Sequence, residues 1–514
     1  MTTTTPLDQL AADYWDAWLE RHPASATALG DHRFNDRLAD ESPAAHDAWR
    51  AALDGLEQRL PATEPTDPTT HAALAEALNT DRAFLEADLR AFTVDPMDGP
   101  QVELLNIPSY QPTRTDDDAQ TLLARWEAMP AYLDQAGRNL QRGAADGRIG
   151  VATLCAKVVD QIDAVLERRD EEWSLAQPGE KLPAICDELI RLIGQRIRPA
   201  YERYRSTIAD EIAPRARSDD EPGLVHMPGG ADTYAALARA HTSVDVAPEE
   251  VHAIGLAEIE RIDGEFTELG AHLLDTHGLA ATLRTLRGDP DLHFQTRDEV
   301  FEVAKRSLDQ ANAAIGQWFG RLPQAPCEVV RMAAHEEEHS TIAYYLMPAA
   351  DGSRPGQHHI NTYAPETRPR YEAETLAFHE SVPGHHLQIA IAQELGEVPA
   401  FRRFNGSTAY VEGWGLYTER LSEEMGLLTG PMDRFGVLSF DAWRASRLVV
   451  DTGIHAMGWT RQEAITFMTE HTALGENNIA NEVDRYIAYP GQALAYKLGQ
   501  LELLRLRAEA RARQ

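Results

Sequence analysis

From Leu7 to about Leu322 the apolar residues of this chain return at intervals of three and four, as in Tyr14, Trp15, Trp18 and Leu19 or in Leu122, Leu123, Trp126, Met129 and Leu133. A period near 3.6 puts such positions on one face, so the spacing predicts helix after helix. The connections carry Pro, Gly and Asp, notably Asp95 to Pro100, Ser218 to Gly223 and Met227 to Gly230, and no fixed period repeats, which argues against a solenoid. Between Pro323 and Pro365 the texture changes. Cys327 to Met332, Thr341 to Met347 and His358 to Tyr363 are short β-branched and aromatic runs that read as strands, and the turn formers from Ala350 to Gly356 predict a hairpin. After Pro369 helical periodicity returns and continues to the end. The expected fold is mainly α with a small β-hairpin or sheet. A chain of 514 residues exceeds the size at which one core stops growing, so two regions are expected: a helical one over 1–322 and a catalytic one over 323–514, with strands in 327–363.

The 82 acidic residues against 48 basic ones leave a formal net charge of -34. Such a surface repels phosphate backbones and anionic headgroups, which argues against nucleic acid and acidic membranes as partners. Cys155, Cys186 and Cys327 are too few and too far apart for a disulfide scaffold or a cysteine-only metal site. Met1 to Leu10 shows no basic segment followed by an apolar core, and no stretch has a membrane-spanning length free of charge. A reducing, cytoplasmic setting is the expectation.

The chemistry concentrates in two segments. His335-Glu-Glu-Glu-His339 is the one literal match to two histidines four apart beside a glutamate, but it lies between strand-like runs with charged residues between its histidines. It reads as a solvated acidic loop, because paired ligands of this kind belong on an amphipathic helix. The better candidate is Glu374 to Ile391, an apolar helical run holding His379, Glu380, His385 and His386. In an unbroken helix His379 and His385 point to nearly opposite sides, and His379 and His386 share a face but stand roughly 10 Å apart. Pro383 lacks an amide hydrogen and Gly384 accepts unusual backbone angles, so a bulge is expected there that returns His385 to a position facing His379. Catalytic zinc takes three protein ligands, and Glu412, at the start of a second apolar helix, is the expected third. Gly415 shares its face and lets the helices approach. Glu419, two turns on, is expected as outer-shell support. Glu380 is the natural general base on metal-bound water. One Zn²⁺ per chain is expected.

The runs His379 to Gln388 and Glu412 to Glu419 resemble the bacterial family catalogued as domain of unknown function 885. The resemblance extends to Leu224–Tyr234, Asp351–Gly356 with Asn361 and Thr362, Arg447–Asp451 through His455 and Trp459, and Pro490–Lys497. Grouped with gluzincin-like metallopeptidases, the family implies a zincin-like helical metallopeptidase fold, with His379 and His385 as ligand histidines, Glu380 as base and Glu412 as third ligand. His386 is kept as a fallback ligand.

The remaining candidates each carry two readings. His358 to Asn361 is either an edge strand that pairs with a substrate backbone, through His359 and Asn361, or an ordinary hairpin. Tyr496 is the preferred oxyanion donor among Tyr486, Tyr489 and Tyr496, against plain core packing. Arg447 and Arg485 either fork a peptide carboxylate or pair internally with Asp451 or Glu482, and Arg444 reads as structural. His455 either holds a substrate oxygen or fills a polar gap. Lys497 stands out in a chain where only Lys157, Lys181 and Lys305 are also lysine. The whole reads as a zinc metallopeptidase for short peptides or peptide-like amides. A catalytically inactive zincin-derived binding or scaffold protein and a metal-dependent amide or ester hydrolase of small-molecule metabolism are the alternatives.

Overall fold

The computed structural model describes residues 5–62, 67–332, 337, 341–350, 352, 354–396 and 398–513. The chain is mainly helical, with one small three-stranded mixed sheet among the described residues. It divides into two compact units, one of residues 1–236, 399–401 and 487–489, the other of 237–398, 402–486 and 490–514. The change of texture at 322/323 thus falls inside the second unit, because the helix before it packs on both the first strand and the helix that carries His379.

In the first unit, helix α1 (Asp116–Ala145) shows why the periodic pattern folds as it does. Thr115 caps it reciprocally: its hydroxyl accepts from the Asp118 amide at 3.1 Å, and the Asp118 carboxylate accepts from the Thr115 amide at 2.9 Å, satisfying donors that a helix start leaves open. Its stripe of Leu122, Trp126, Met129, Leu133 and Leu140 is buried with Ile162, Trp173 and Tyr201.

The second unit holds α2 (Pro248–Leu273), α3 (Arg297–Ala314), strands β1 (Cys327–Arg331), β2 (Ala343–Leu346) and β3 (Gly356–Ile360), then α4 (Ala373–Glu380), α5 (His385–Gln393), α6 (Thr408–Glu424), α7 (Arg434–Met457), α8 (Glu476–Ala488) and α9 (Leu494–Ala512). β2 pairs antiparallel with β3, as the hairpin expectation required, and β1 pairs parallel with β3 on its other side. β3 is therefore the central strand. That corrects the edge-strand reading of His358 to Asn361: neighbours on both sides already use its backbone, and the Asn361 amide donates to the Ile342 carbonyl at 3.1 Å. The triple-glutamate run from His335 to His339 lies outside the described residues except for Glu337, which is buried and pairs with Arg297.

α7 is the axis of this unit, with every residue from Phe435 to His455 buried. α2 crosses it at Gly255, where a Cβ would lie 2.7 Å from Val449 Cγ2. α6 and α9 meet equally closely, since a Cβ at Gly499 would stand 2.0 Å from the Ala409 carbonyl oxygen. A helix buried all round must pair its polar residues internally. Asp441 does so with Lys497 Nζ at 2.5 Å, Arg420 Nη2 at 2.5 Å and Arg261 Nη2 at 3.1 Å, while Lys497 also reaches Glu258 at 2.8 Å. Burial alone would push the Asp441 carboxyl up, but Lys497, Arg420 and Arg261 overcome it and hold it far below the usual carboxylate range.

Removing one partner of such a group leaves the other charge buried and unpaired, so Asp441→Asn is expected to cost about 3–5 kcal/mol at neutral pH in chemical denaturation. The folded carboxyl titrates below the unfolded one, so its stabilisation is present above the ordinary value and lost on acidification. The gap between wild type and variant should narrow as pH falls below 3.8.

Candidate metal centre

Between the two histidine-bearing helices the chain does not bulge within a continuous helix; the helix stops and restarts. α4 ends at Glu380, and α5 begins at His385 after a four-residue loop that contains a cis Val382–Pro383 bond. Ser381 closes the first helix by donating its amide to the Ala377 carbonyl at 2.9 Å. The Gly384 amide reaches back to the Phe378 carbonyl at 2.9 Å, and the His386 amide to that of Ser381 at 3.0 Å. Gly384 is required by space: a Cβ there would sit 1.9 Å from the His379 carbonyl oxygen. The outcome is the one the spacing demanded, because the rings of His379 and His385 meet edge to face with centroids 4.6 Å apart.

Glu412, on α6, completes the group. Its Oε2 lies 3.9 Å from His379 Nε2 and 3.6 Å from His385 Nε2, and one ligand atom from each of the three residues falls within 4.8 Å of the others. Tetrahedral ligation at about 2.0–2.1 Å separates donors by about 3.3 Å, so small side-chain shifts suffice to close around a cation. Burial, as the largest cause, pushes both imidazoles below their ordinary range, leaving neutral rings with a free lone pair. Two neutral imidazoles and a carboxylate are a donor set suited to zinc and its neighbours.

Two further contacts on α6 hold this arrangement. His379 lies directly on Gly415, where a Cβ would come within 2.7 Å of the imidazole Cε1. His379 Nδ1 meets Glu419 Oε1 at 2.7 Å, so when Nδ1 donates to Glu419, the Nε2 lone pair is turned toward Glu412 and His385. Burial pushes the Glu419 carboxyl up to about 8, with Arg444 opposing. Glu380, next to His379, is likewise pushed up to about 8 by burial and then by Glu412, within the range that suits proton exchange near neutrality.

The other sequence candidates sit elsewhere. His386 is not a ligand: its Nε2 donates to the Ala325 carbonyl at 3.0 Å and its Nδ1 accepts from the Tyr345 hydroxyl at 2.9 Å. Lys497 is committed to Asp441 and Glu258 and is no free substrate contact. Asn361 donates to the carbonyls of Glu337 and Thr341, and His359 stacks on Tyr344 with centroids 4.6 Å apart. Asp451 accepts from the Gly491 amide at 3.1 Å. His455 donates Nε2 to the Tyr486 carbonyl at 2.9 Å. Arg447 pairs with Glu482 at 2.9 Å and carries Tyr496 against its guanidinium, 4.3 Å from the ring centre. Arg485 donates to Gln492 at 2.9 Å and reaches the Tyr496 hydroxyl at 3.5 Å.

Two residues near the ligands were missed. His358 is fully buried, with neither ring nitrogen hydrogen-bonded to a described residue. Alternation along β3 turns it, rather than His359, to the buried face, a signal available once the strand is recognised. Arg444, read as structural, approaches Glu419 to 3.9 Å and opposes the upward shift of Glu380.

Glu419→Gln keeps the shape but puts behind His379 an amide that cannot ionise when a cation binds, and should weaken metal affinity about 10- to 100-fold in chelator competition. Gly415→Ala drives a methyl into the imidazole, so it should reduce the metal retained after dialysis while the far-ultraviolet dichroism stays that of the wild type.

The fold recurs among known structures. The chain superposes on a Colwellia psychrerythraea protein described as a putative lipoprotein with a TM-score of 0.93 at 26% identity, covering 99% of this chain and 94% of that one. A Shewanella oneidensis protein, described as a putative lipoprotein of unknown function, shares the fold at a TM-score of 0.69 and 16% identity, over 98% of this chain and 94% of the other. No curated protein matches. The sequence model of the bacterial proteins of unknown function called DUF885 matches residues 23–514, and the chain belongs to that family.

Proposed function

We propose that this protein is a metal-dependent hydrolase, a zincin-like peptidase that cleaves amide bonds in short peptides or peptide-like substrates. The observation that carries the reading is the convergence of His379, His385 and Glu412 within 4.8 Å, with Glu380 immediately after the first histidine and equally buried. His379, His385 and Glu412 would hold the cation, and zinc, one per chain, suits them. When bound, the cation supplies Lewis-acid polarisation of a substrate carbonyl and eases deprotonation of water.

The protein's own groups do the rest. Glu380 takes the proton of the attacking water and returns it to the leaving amine, a cycle that suits a carboxyl raised by burial above its ordinary value. Glu419 fixes the ring of His379 and needs no direct contact with substrate. Glu412 keeps 21% of its side chain exposed, which supports access from solvent to that side of the group. A cytoplasmic setting is proposed with the reaction, supported by the free thiols of Cys155, Cys186 and Cys327.

Metal analysis of the purified protein is expected to give about one zinc per chain. A mixed peptide library should be cleaved, and cleavage should stop on chelation. Glu380→Gln is expected to lower kcat about 10²- to 10⁴-fold with metal content unchanged. Bound metal without cleavage under any divalent ion would support a binding protein derived from such enzymes and sink the hydrolase reading.

A further inference from the structure

Three arginines gather at the middle of α7 and on α8: Arg444, Arg447 and Arg485. Arg447 and Arg485 share Glu482, at 2.9 and 3.7 Å. Arg444 is different. Its side chain is 6% exposed, and the nearest carboxylate among the described residues is Glu419, at 3.9 Å, beyond hydrogen-bond distance. That oxygen of Glu419 is already bonded to His379 Nδ1. Among the described residues neither Nε nor Nη1 of Arg444 has a hydrogen-bond partner, and Arg447 Nη1 has none either.

What holds Arg444 is aromatic. Its guanidinium carbon lies 4.2 Å from the centre of the Trp443 ring and 4.6 Å from that of Phe440, and Arg447 leans on the same indole at 4.8 Å. Ring faces attract the charge but offer no oxygen to the N–H groups. A buried cation left without an oxygen acceptor is costly, and for all the chain's surplus of acidic residues no carboxylate among the described residues lies within hydrogen-bond distance of it. A guanidinium pinned on its faces and under-paired at its edge is preorganised for a planar, two-oxygen anion.

Position narrows the choice of anion. Glu419 Oε1 links the two centres, standing 3.9 Å from Arg444 and 2.7 Å from His379. An extended peptide advances about 3.3–3.6 Å per residue, so an anion on Arg444 belongs within about two residues of a bond presented to the metal group. We propose that Arg444, assisted by Arg447, binds the C-terminal carboxylate of a short peptide, which makes the protein an exopeptidase that releases one or two residues from the C-terminus. This rests on the hydrolase reading for its catalytic half only; carboxylate binding stands by itself.

The test therefore measures binding without turnover. Chelator-treated full-length protein is dialysed to equilibrium against a mixed tripeptide library in two forms, free acids and C-terminal amides, and retained peptides are quantified by mass spectrometry. Wild type should retain acids about tenfold or more over amides, as a charge-assisted pair implies. Arg444→Gln should abolish the preference and Arg444→Lys should keep part of it. Equal retention of acids and amides by wild type, a result that needs no variant, overturns the proposal, as does a preference that survives in Arg444→Gln. Failure of hydrolysis would show separately, as absent cleavage after zinc is restored.

Discussion

Two imidazoles six positions apart cannot share a cation on a straight helix, and the site of this protein rests on how that conflict is resolved. The solution is to end one helix at Glu380 and start another at His385, with the loop drawn so tightly that Gly384 admits no side chain beneath the His379 carbonyl. The break brings the second histidine opposite the first. It also keeps Glu380 on the last turn of α4, next to a ligand yet not part of the ligand group. α6 then supplies, from successive turns, the Glu412 carboxylate beside the two histidines, a bare Gly415 on which the His379 ring rests, and the Glu419 carboxylate behind that ring. Three functions on one helix require that helix to be placed accurately. The Gly413 and Gly499 contact with α9 provides this, because backbones that touch without intervening side chains have little freedom to slide.

A second constraint is charge inside α7. A helix buried from Phe435 to His455 carries Asp441, Arg444, Arg447, Asp451 and His455, and each ion among them has to find compensation or raise the free energy of the fold. Asp441 finds three cations, Arg447 finds Glu482 and the Tyr486 hydroxyl, and Asp451 finds the Gly491 amide. These pairings tie α7 to α2, α6, α8 and α9, and so frame the wall behind the metal group. Arg444 stands apart because its company is two rings and a carboxylate already bonded elsewhere.

Local patterns made much of this legible. The grouping of His379, His385 and Glu412, with Glu419 behind His379, could be read because each sits within a few turns of another in sequence, where the geometry of a helix fixes who faces whom. The β2 and β3 pairing followed from the turn residues between them. What could not be read was non-local. That β3 is the central strand depends on β1 arriving parallel from the far side of the sheet, and no local signal carries that. Lys497 looked available because Asp441 and Glu258, 56 and 239 positions away by number, are brought to it only by packing. His386 offered a ligand by type, but Tyr345 and the Ala325 carbonyl reach it from other segments and take both ring nitrogens.

The contrast between Asp441 and Arg444 carries the argument about function furthest. Both are buried ions on one helix, three positions and so less than one turn apart, and burying an ion is costly for each. Around Asp441 the protein has assembled three cations, which is what a structural ion needs. Around Arg444 it has assembled aromatic surface, which fixes position without using up the donors. Had stability been the sole requirement, an apolar residue at 444 would pack against Phe440 and Trp443 with no charge to compensate. A guanidinium held rigid, under-paired and one carboxylate away from His379 is instead the arrangement of a group kept ready for an acceptor that arrives with the substrate.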